Sequence, residues 1–311
     1  MPISSASQWA ILGTVVIVAL AADLAIFHRE AHEVKLREAL LESAGWIGLA
    51  LAFNAWIYFS RGQGAGLDFL TAYVLEKSMS ADNILVFILI FASLGVPAKS
   101  QHTVLFYGVA GALVMRGLFV WGGIALLQRF HAVLFVFGAI LLIAGVRMLF
   151  ARPGVTRQGP NLIVQIARRI VPVANHFEGE KLWVRENGNA KMTTLFVALI
   201  AVEAMDLIFA VDSVPAVLAI TRDPFIAYSS NAFAILGLRA LYFALSGALA
   251  RLRYLHQGLA VILIFVACKM LASDRLPISS GLSLGIIGGI LALTVAASLG
   301  TRERTQPPRP A

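Results

Sequence analysis

Nine stretches of 17 or more mostly apolar residues constrain this chain more than any other feature, at roughly 8 to 27, 43 to 59, 69 to 92, 104 to 127, 130 to 150, 195 to 220, 227 to 248, 256 to 272 and 278 to 299. A helix of about 20 residues crosses a bilayer, so these runs predict an all-α polytopic membrane protein with about nine transmembrane helices. The composition leaves little alternative. With 59% hydrophobic residues, 14% charged residues and a mean hydropathy of +0.81, a chain of 311 residues lacks the polar surface to cover a globule in water. The fourth and fifth runs are nearly continuous and part only at Gln128, Arg129, Phe130 and His131.

A net charge of +8 is compatible with a nucleic-acid binder, but the basic residues cluster between the apolar runs. Lys and Arg in alternate loops set orientation. With the N-terminus outside, inner loops and tail hold sixteen, among them Arg29, Lys35, Arg37, Lys99, Arg251, Arg253, Arg302 and Arg304. Outer loops hold only Arg61, Arg129, Arg222 and Arg275. The expectation is a multi-pass membrane protein with its N-terminus outside, its C-terminus in the cytoplasm and no nucleic-acid partner. The first run lacks a basic leader and a small-residue cleavage site, so it reads as a retained helix. A single cysteine, Cys268, within an apolar run excludes an intramolecular disulfide and a thiolate-rich metal site.

The sequence repeats. Leu113 to Leu149 aligns with Ile235 to Leu271 with one small gap, matching Arg116 to Arg239, Arg129 to Arg251 and Arg147-Met148-Leu149 to Lys269-Met270-Leu271. Upstream, Asp82 matches Asp212 and Glu76 matches Asp206. Each unit holds three helices, an odd number, so the second runs through the membrane in the opposite sense. This is the inverted-repeat plan of many secondary transporters, whose sites lie near the midplane between repeats. The chain then divides into two leading helices with their inner loop (1 to 67), repeat one (68 to 150), a cytoplasmic loop (151 to 191), repeat two (192 to 275), and a ninth helix with a basic tail (276 to 311). In the loop, Leu162, Ile163, Ile166 and Ile170 beside Arg168 and Arg169 suggest an amphipathic helix on the inner leaflet. The run 182 to 191 reads as a hairpin around Asn187-Gly188. A plain solvated linker is the alternative for both.

Charges inside the apolar runs carry the chemistry: Glu76, Lys77 and Asp82 in the third, Glu203, Asp206 and Asp212 in the sixth. An ionised carboxylate at bilayer depth costs at least about 2 to 4 kcal/mol and asks for a partner, a proton or a bound cation. In a purely structural reading the five acids pair with Lys77, Arg116 and Arg239. Two negative charges are then left over, which one divalent cation or protonation would balance. Glu203 and Asp206, three apart, share a helix face, whereas Asp212 lies roughly 13 Å along the axis from Glu203. One straight helix does not aim all three at one ion. Either Pro215 breaks the helix beside Asp212 and Ser213, or two sites stack along a path. The candidate donors, carboxylates with the Asn83 amide and the Ser213 hydroxyl, are all oxygens, which suits hard cations such as Mn, Mg or Ca rather than copper(I) or zinc. His28 and His32, followed by Glu33, form a possible metal clip or, more commonly, a solvated helix face. Trp9, Trp46, Trp56 and Trp121 read as interface anchors, and Arg147 and Lys269 as snorkelling side chains.

The strings HEVKLREAL (32 to 40), LEKSMSADNILVF (75 to 87) and VEAMDLIFAVDSVPA (202 to 216) closely resemble the TerC family of integral membrane proteins, in particular its Alx-like branch, over nearly the whole chain. The resemblance implies an inner-membrane protein of manganese efflux or homeostasis, a family that also carries older labels of tellurite resistance and redox modulation. It also implies a metal set of Glu76, Asp82, Asn83, Glu203, Asp206, Asp212 and Ser213. Met205 departs from the small polar residue that the family usually has before this aspartate.

Exporting a divalent cation against an inside-negative potential costs about 4.6 kcal/mol per 100 mV, twice the single-charge figure. No Walker A string supplies ATP chemistry, which leaves proton antiport through the same carboxylates as the natural coupling. Three roles remain open: metal exporter, metal-delivery or assembly partner for exported metalloenzymes, and membrane redox modulator. None is an enzyme. The last is weakest, because a lone Cys268 without a haem or flavin motif leaves no electron carrier. No permanently bound cofactor is expected, only a transported divalent cation, protons and the lipid bilayer as partners.

Overall fold

A computed structural model describes residues 5 to 27, 36 to 130, 132 to 150, 181 to 186, 189 to 246, 254 to 272 and 278 to 300. Ten helices account for most of them: α1 (Ser5–Phe27), α2 (Leu36–Arg61), α3 (Gln63–Leu94), α4 (Ala98–Arg129), α5 (Ala132–Phe150), α6 (Thr194–Leu218), α7 (Pro224–Leu236), α8 (Leu238–Ser246), α9 (Leu255–Leu271) and α10 (Ser280–Gly300). The helix break between the fourth and fifth apolar runs falls where the sequence puts it, with Phe130 in extended conformation capping α4. Among the described residues, seven helices are long and apolar enough to cross a membrane: α1 to α6 and α10. The other two apolar runs differ from expectation. One is α9, of 17 residues, and the other is divided at Gly237 into α7 and α8.

The surroundings of Gly237 are crowded. A Cβ on this residue would lie 2.7 Å from Lys77 Nζ and 3.0 Å from Trp46 Cβ, so a larger residue would displace both, and the backbone turns there with φ −87° and ψ 10°. Lys77 donates to the carbonyl of Ala234 at 3.3 Å, placing its ammonium at the C-terminal end of α7, where the helix dipole favours a cation. Trp46 therefore lies inside the bundle rather than at the interface, and also donates to Glu42 Oε1 at 3.5 Å. Trp121 is 72% exposed on the outside of the bundle.

Pro215 does not break its helix. α6 runs continuously from Thr194 to Leu218, and every residue from Ser213 to Leu218 is buried. Packing on all sides holds this last turn helical despite the donor that proline lacks.

α3 is the hub of the bundle. It packs on α2, α6, α7, α8 and α10, while α4 lies against α6 and α7, and α5 against α9. Small residues set the closest crossings. A Cβ at Gly145 of α5 would lie 3.1 Å from both the Ala260 carbonyl oxygen and the Ile264 nitrogen of α9, and one at Gly138 would press on Leu271. Such close backbone approach is the usual basis of helix association in lipid.

Two apolar clusters lie along α3, α4 and α6. One takes residues 84 to 94 of α3, 104 to 113 of α4 and 195 to 205 of α6. The other takes 72 to 81, 120 to 127 and 210 to 218. α3 and α6 are therefore antiparallel, and Arg116 and Asp206 fall where one cluster gives way to the other. At one end of the bundle, Arg61 at the end of α2 pairs with Asp223 at 2.5 Å, and Ser280 at the start of α10 donates to Asp68 near the start of α3. Asp223 also caps α7, accepting from the Phe225 and Ile226 nitrogens at 2.9 and 3.2 Å. Elsewhere Tyr242 of α8 donates to Gln101 of α4 at 2.8 Å, and the Tyr254 nitrogen to Ser298 at 3.1 Å.

Before α6, β1 (Trp183–Glu186) and β2 (Asn189–Met192) pair antiparallel, with Trp183 opposite Met192 and Glu186 opposite Asn189. The antiparallel pairing of these two strands matches the hairpin the sequence predicts over 182 to 191. The amphipathic segment at 162 to 170, the His28, His32 and Glu33 group and the C-terminal tail lie outside the described residues.

Candidate cation site

The site grows from one side chain. Arg116, on α4 and 1% exposed, carries a fixed positive charge in the bundle interior and gathers acceptors from three other helices. Its Nη1 donates to Glu76 Oε1 of α3 and to Asn231 Oδ1 of α7, the latter at 3.0 Å, and its Nη2 donates to Asp206 Oδ1 of α6 at 3.2 Å. Glu76, Asp206 and Asn231 are all buried, Asn231 completely. Asn231 also donates from Nδ2 to the Ala227 carbonyl of its own helix at 3.0 Å, which fixes the amide with its oxygen toward the guanidinium.

Not every polar atom of this cluster is used. Glu76 Oε2, Asp206 Oδ2 and Arg116 Nε are buried without a hydrogen-bond partner among the described residues. A buried unsatisfied polar atom costs about 1 to 3 kcal/mol, so a site that keeps three is under-used as an ion pair.

The other expected residues lie around this centre, not at it. Glu203, one turn before Asp206, lies over Gly111 of α4, where a Cβ would collide with its carboxylate; its Oε1 is also without a partner among the described residues. Asn83 is buried seven residues beyond Glu76, and Ser213, its hydroxyl unpartnered, is buried seven residues beyond Asp206. Seven residues are about 10 Å of helix. Because α3 and α6 are antiparallel, Asn83 and Ser213 flank the centre on opposite sides. Asp212 is half-buried on α6, and Asp82 lies on α3 with its side chain outside the described residues. Among the described residues no three His, Cys, Asp or Glu side chains gather closely enough to hold a metal between them. The expected set is thus spread along the bundle, with Glu76 and Asp206 as the pair that meets.

Arg239, expected to neutralise the central acids, is engaged elsewhere. Its Nη2 donates to Asp23 Oδ1 of α1 at 2.6 Å and to Glu42 Oε1 of α2 at 2.7 Å. Lys77, also expected as a partner, donates to the Ala234 carbonyl, so of the three expected bases Arg116 is the one that pairs with Glu76 and Asp206 among the described residues. Lys269, expected to snorkel, is buried, with Asp68 as a neighbouring charge. Cys268, expected inside, is exposed on the surface of α9.

Asn231, Asp23 and Glu42 are the residues that sequence reasoning missed. The signal for Asn231 was present, as it is the one amide in the apolar run 227 to 248 and follows two serines, Ser229 and Ser230, that are also fully buried. Asp23 and Glu42 stand at the ends of apolar runs, where an acid ordinarily meets water.

Comparison with known proteins agrees with these features. The chain is similar to a membrane protein of Myxococcus xanthus designated STKORF319, 44% identical over 96% of this chain and 93% of that protein. It is similar also to Alx of Escherichia coli K12, described as a candidate membrane-bound redox modulator, at 42% identity over 92% of both chains. A membrane protein of Rickettsia bellii is 35% identical over 94% of this chain and 97% of its own length. No solved structure matches. The model of the integral membrane protein TerC family matches residues 61–306, which include every residue of the central cluster, and the chain belongs to that family.

Proposed function

We propose that the protein is a transporter that exports a divalent metal cation, manganese foremost, across the inner membrane in exchange for protons. The observation that carries this reading is the convergence of Glu76 and Asp206, from two antiparallel helices, on Arg116 in the bundle interior, each with one carboxylate oxygen unpartnered among the described residues. Buried charge of this kind in a membrane bundle is costly and marks ion pathways. The donors are oxygens, the preference of hard cations. Glu203, Asp82, Asn83, Asp212 and Ser213 extend the set along the bundle as successive stations rather than as one cage. A proton and a cation that compete for the same carboxylates are coupled by that competition.

The helix pairing supports two inverted repeats. Exchanging repeat one (α3, α4, α5) with repeat two (α6, the α7–α8 unit, α9) turns the α3–α7 contact into the α6–α4 contact, and it returns the α3–α6, α4–α7 and α5–α9 contacts to themselves. All five pairings occur. Counting α7 and α8 as one broken crossing and α9 as another adds two to the seven long apolar helices and makes nine, and the bias of basic residues favours an N-terminus outside.

The test is transport by the purified protein in liposomes across Mn, Ca, Mg and Zn, with internal pH followed. Mn movement coupled to opposite proton movement is expected. Asp82→Asn and Asp212→Asn should each abolish it while folded protein is unchanged; normal transport in both rejects the acids as the pathway. The purified protein also separates export from metal delivery, since a delivery partner needs its recipient and moves no ion alone. The name of the Alx relatives favours a redox role as a second reading. An exposed lone thiol on α9 makes no intramolecular disulfide, so under the transport reading Cys268→Ala leaves metal and redox phenotypes intact, whereas loss of either supports thiol chemistry.

A further inference from the structure

We infer that the Arg116 guanidinium sits in the seat of the transported cation, so that Glu76, Asp206 and Asn231 are ligands the cation takes over by displacing the arginine. This rests on the transport reading above and deepens it, adding Asn231 and its helix α7 to the site.

Three oxygens from three helices converge on one cationic group: Glu76 Oε1 of α3, Asp206 Oδ1 of α6 and Asn231 Oδ1 of α7. That is an oxygen cage, and the chain's own cation fills it. Two features separate it from an ion pair kept for stability. The first is charge, because two carboxylates around one guanidinium leave a surplus negative charge in a buried site, whereas a divalent cation between them leaves none. The second is the oxygens in reserve. Glu76 Oε2 and Asp206 Oδ2 are buried and without a partner among the described residues, so a small cation at the guanidinium position draws on both oxygens of each carboxylate and the amide, approaching the six or more oxygen ligands that hard cations take with backbone or water.

Asn231 fits the role by its chemistry. Its Nδ2 is tied back to the Ala227 carbonyl and its oxygen faces the centre, fully buried. It adds a neutral donor without adding charge, so it tunes affinity and selectivity while the carboxylates supply the neutralisation. In the cation-free protein Arg116 keeps the cage from standing empty with two uncompensated charges, and the cation pays for binding by expelling it.

The experiment titrates Mn²⁺ into the full-length protein in lipid nanodiscs, reading free Mn²⁺ by electron paramagnetic resonance. Arg116→Gln removes the competitor and should tighten binding by at least about tenfold, because apparent affinity rises as the competent fraction of the site rises. Arg116→Lys retains the charge but offers a single point donor instead of a fork, so it should fall between the native chain and Arg116→Gln; it carries the test if Arg116→Gln does not accumulate. Asn231→Ala placed in the arginine variant should weaken Mn²⁺ by about tenfold, one ligand of roughly 1.4 kcal/mol. Arginine variants that fold and bind Mn²⁺ no better than the native chain overturn the inference, as does Asn231→Ala without effect in that background. If neither the native chain nor any variant binds Mn²⁺, the transport reading itself fails, a result distinct from binding that the arginine leaves unchanged.

Discussion

Arg116 and Arg239 occupy matched positions in the two repeats, yet each holds different acids. Arg239 ties α8 to α1 and α2 through Asp23 and Glu42, at 2.6 and 2.7 Å, in a buried cluster. Removing one partner of such a cluster strands the rest: Arg239→Gln should cost about 3 to 5 kcal/mol, seen as lost accumulation or a lowered melting temperature in detergent. Asp23→Asn should cost less, because Glu42 remains on the guanidinium. Since Arg239 does not touch Asp206, the double variant Asp206→Asn with Arg239→Gln should show additive defects. Rescue of either by the other would place the two in one network and contradict the geometry. What the sequence reveals here follows from cost. Glu76, Asp206 and Arg116 stand out because charge within an apolar run demands a reason. Asn231 carries no charge, and its mark is weaker, a lone amide in an apolar run; Asp23 and Glu42 sit at run ends, where nothing in a linear pattern marks them, and only the fold brings them to a guanidinium 216 and 197 residues away.

At the scale of elements, two positions reverse the local expectation. Pro215 looks like a break and is not one, because burial of the whole last turn of α6 holds it. Gly237 looks ordinary in a membrane helix, where glycine is common, yet α7 and α8 divide there, at a position that Lys77 and Trp46 crowd. Proline's effect is a local propensity, and tertiary packing overrides it. Pro215→Ala should therefore leave transport and folding near native, while Gly237→Leu should disrupt the bundle; transport lost in Pro215→Ala with normal accumulation would restore the broken-helix reading. The α5–α9 crossing obeys the same rule. Gly145→Leu would drive a side chain into the backbone of α9, an overpacking cost of about 1 to 3 kcal/mol, and should lower accumulation, whereas Gly122→Ala, with open space around it, should not.

At the scale of the whole molecule, the depth of the α7–α9 region decides how the second repeat matches the first, as a pair of crossings or as a segment that dips into the membrane and returns. Cross-bundle contacts argue for crossing. Asp223 at the start of α7 pairs with Arg61 at the end of α2, whereas Tyr242 in α8 reaches Gln101 near the start of α4. Those partners flank consecutive long helices: α3 (Gln63–Leu94) begins beside Arg61 and ends just before α4 (Ala98–Arg129). One full crossing by α3 thus separates the two contacts, and the α7–α8 unit, joining them, spans the same depth despite its break. A second crossing by α9 then returns the chain to the side of Arg222. Reporters active on only one side of the membrane test this. Fusions near Arg222 and Arg275 should read external, and fusions near Arg251 and after Arg304 cytoplasmic. A re-entrant α7–α9 would keep Arg251 from the cytoplasmic side and remove two of the nine crossings, so that the second unit would no longer match the three crossings of the first. The α3–α7 and α6–α4 pairings would then no longer be related by a two-fold axis in the membrane plane.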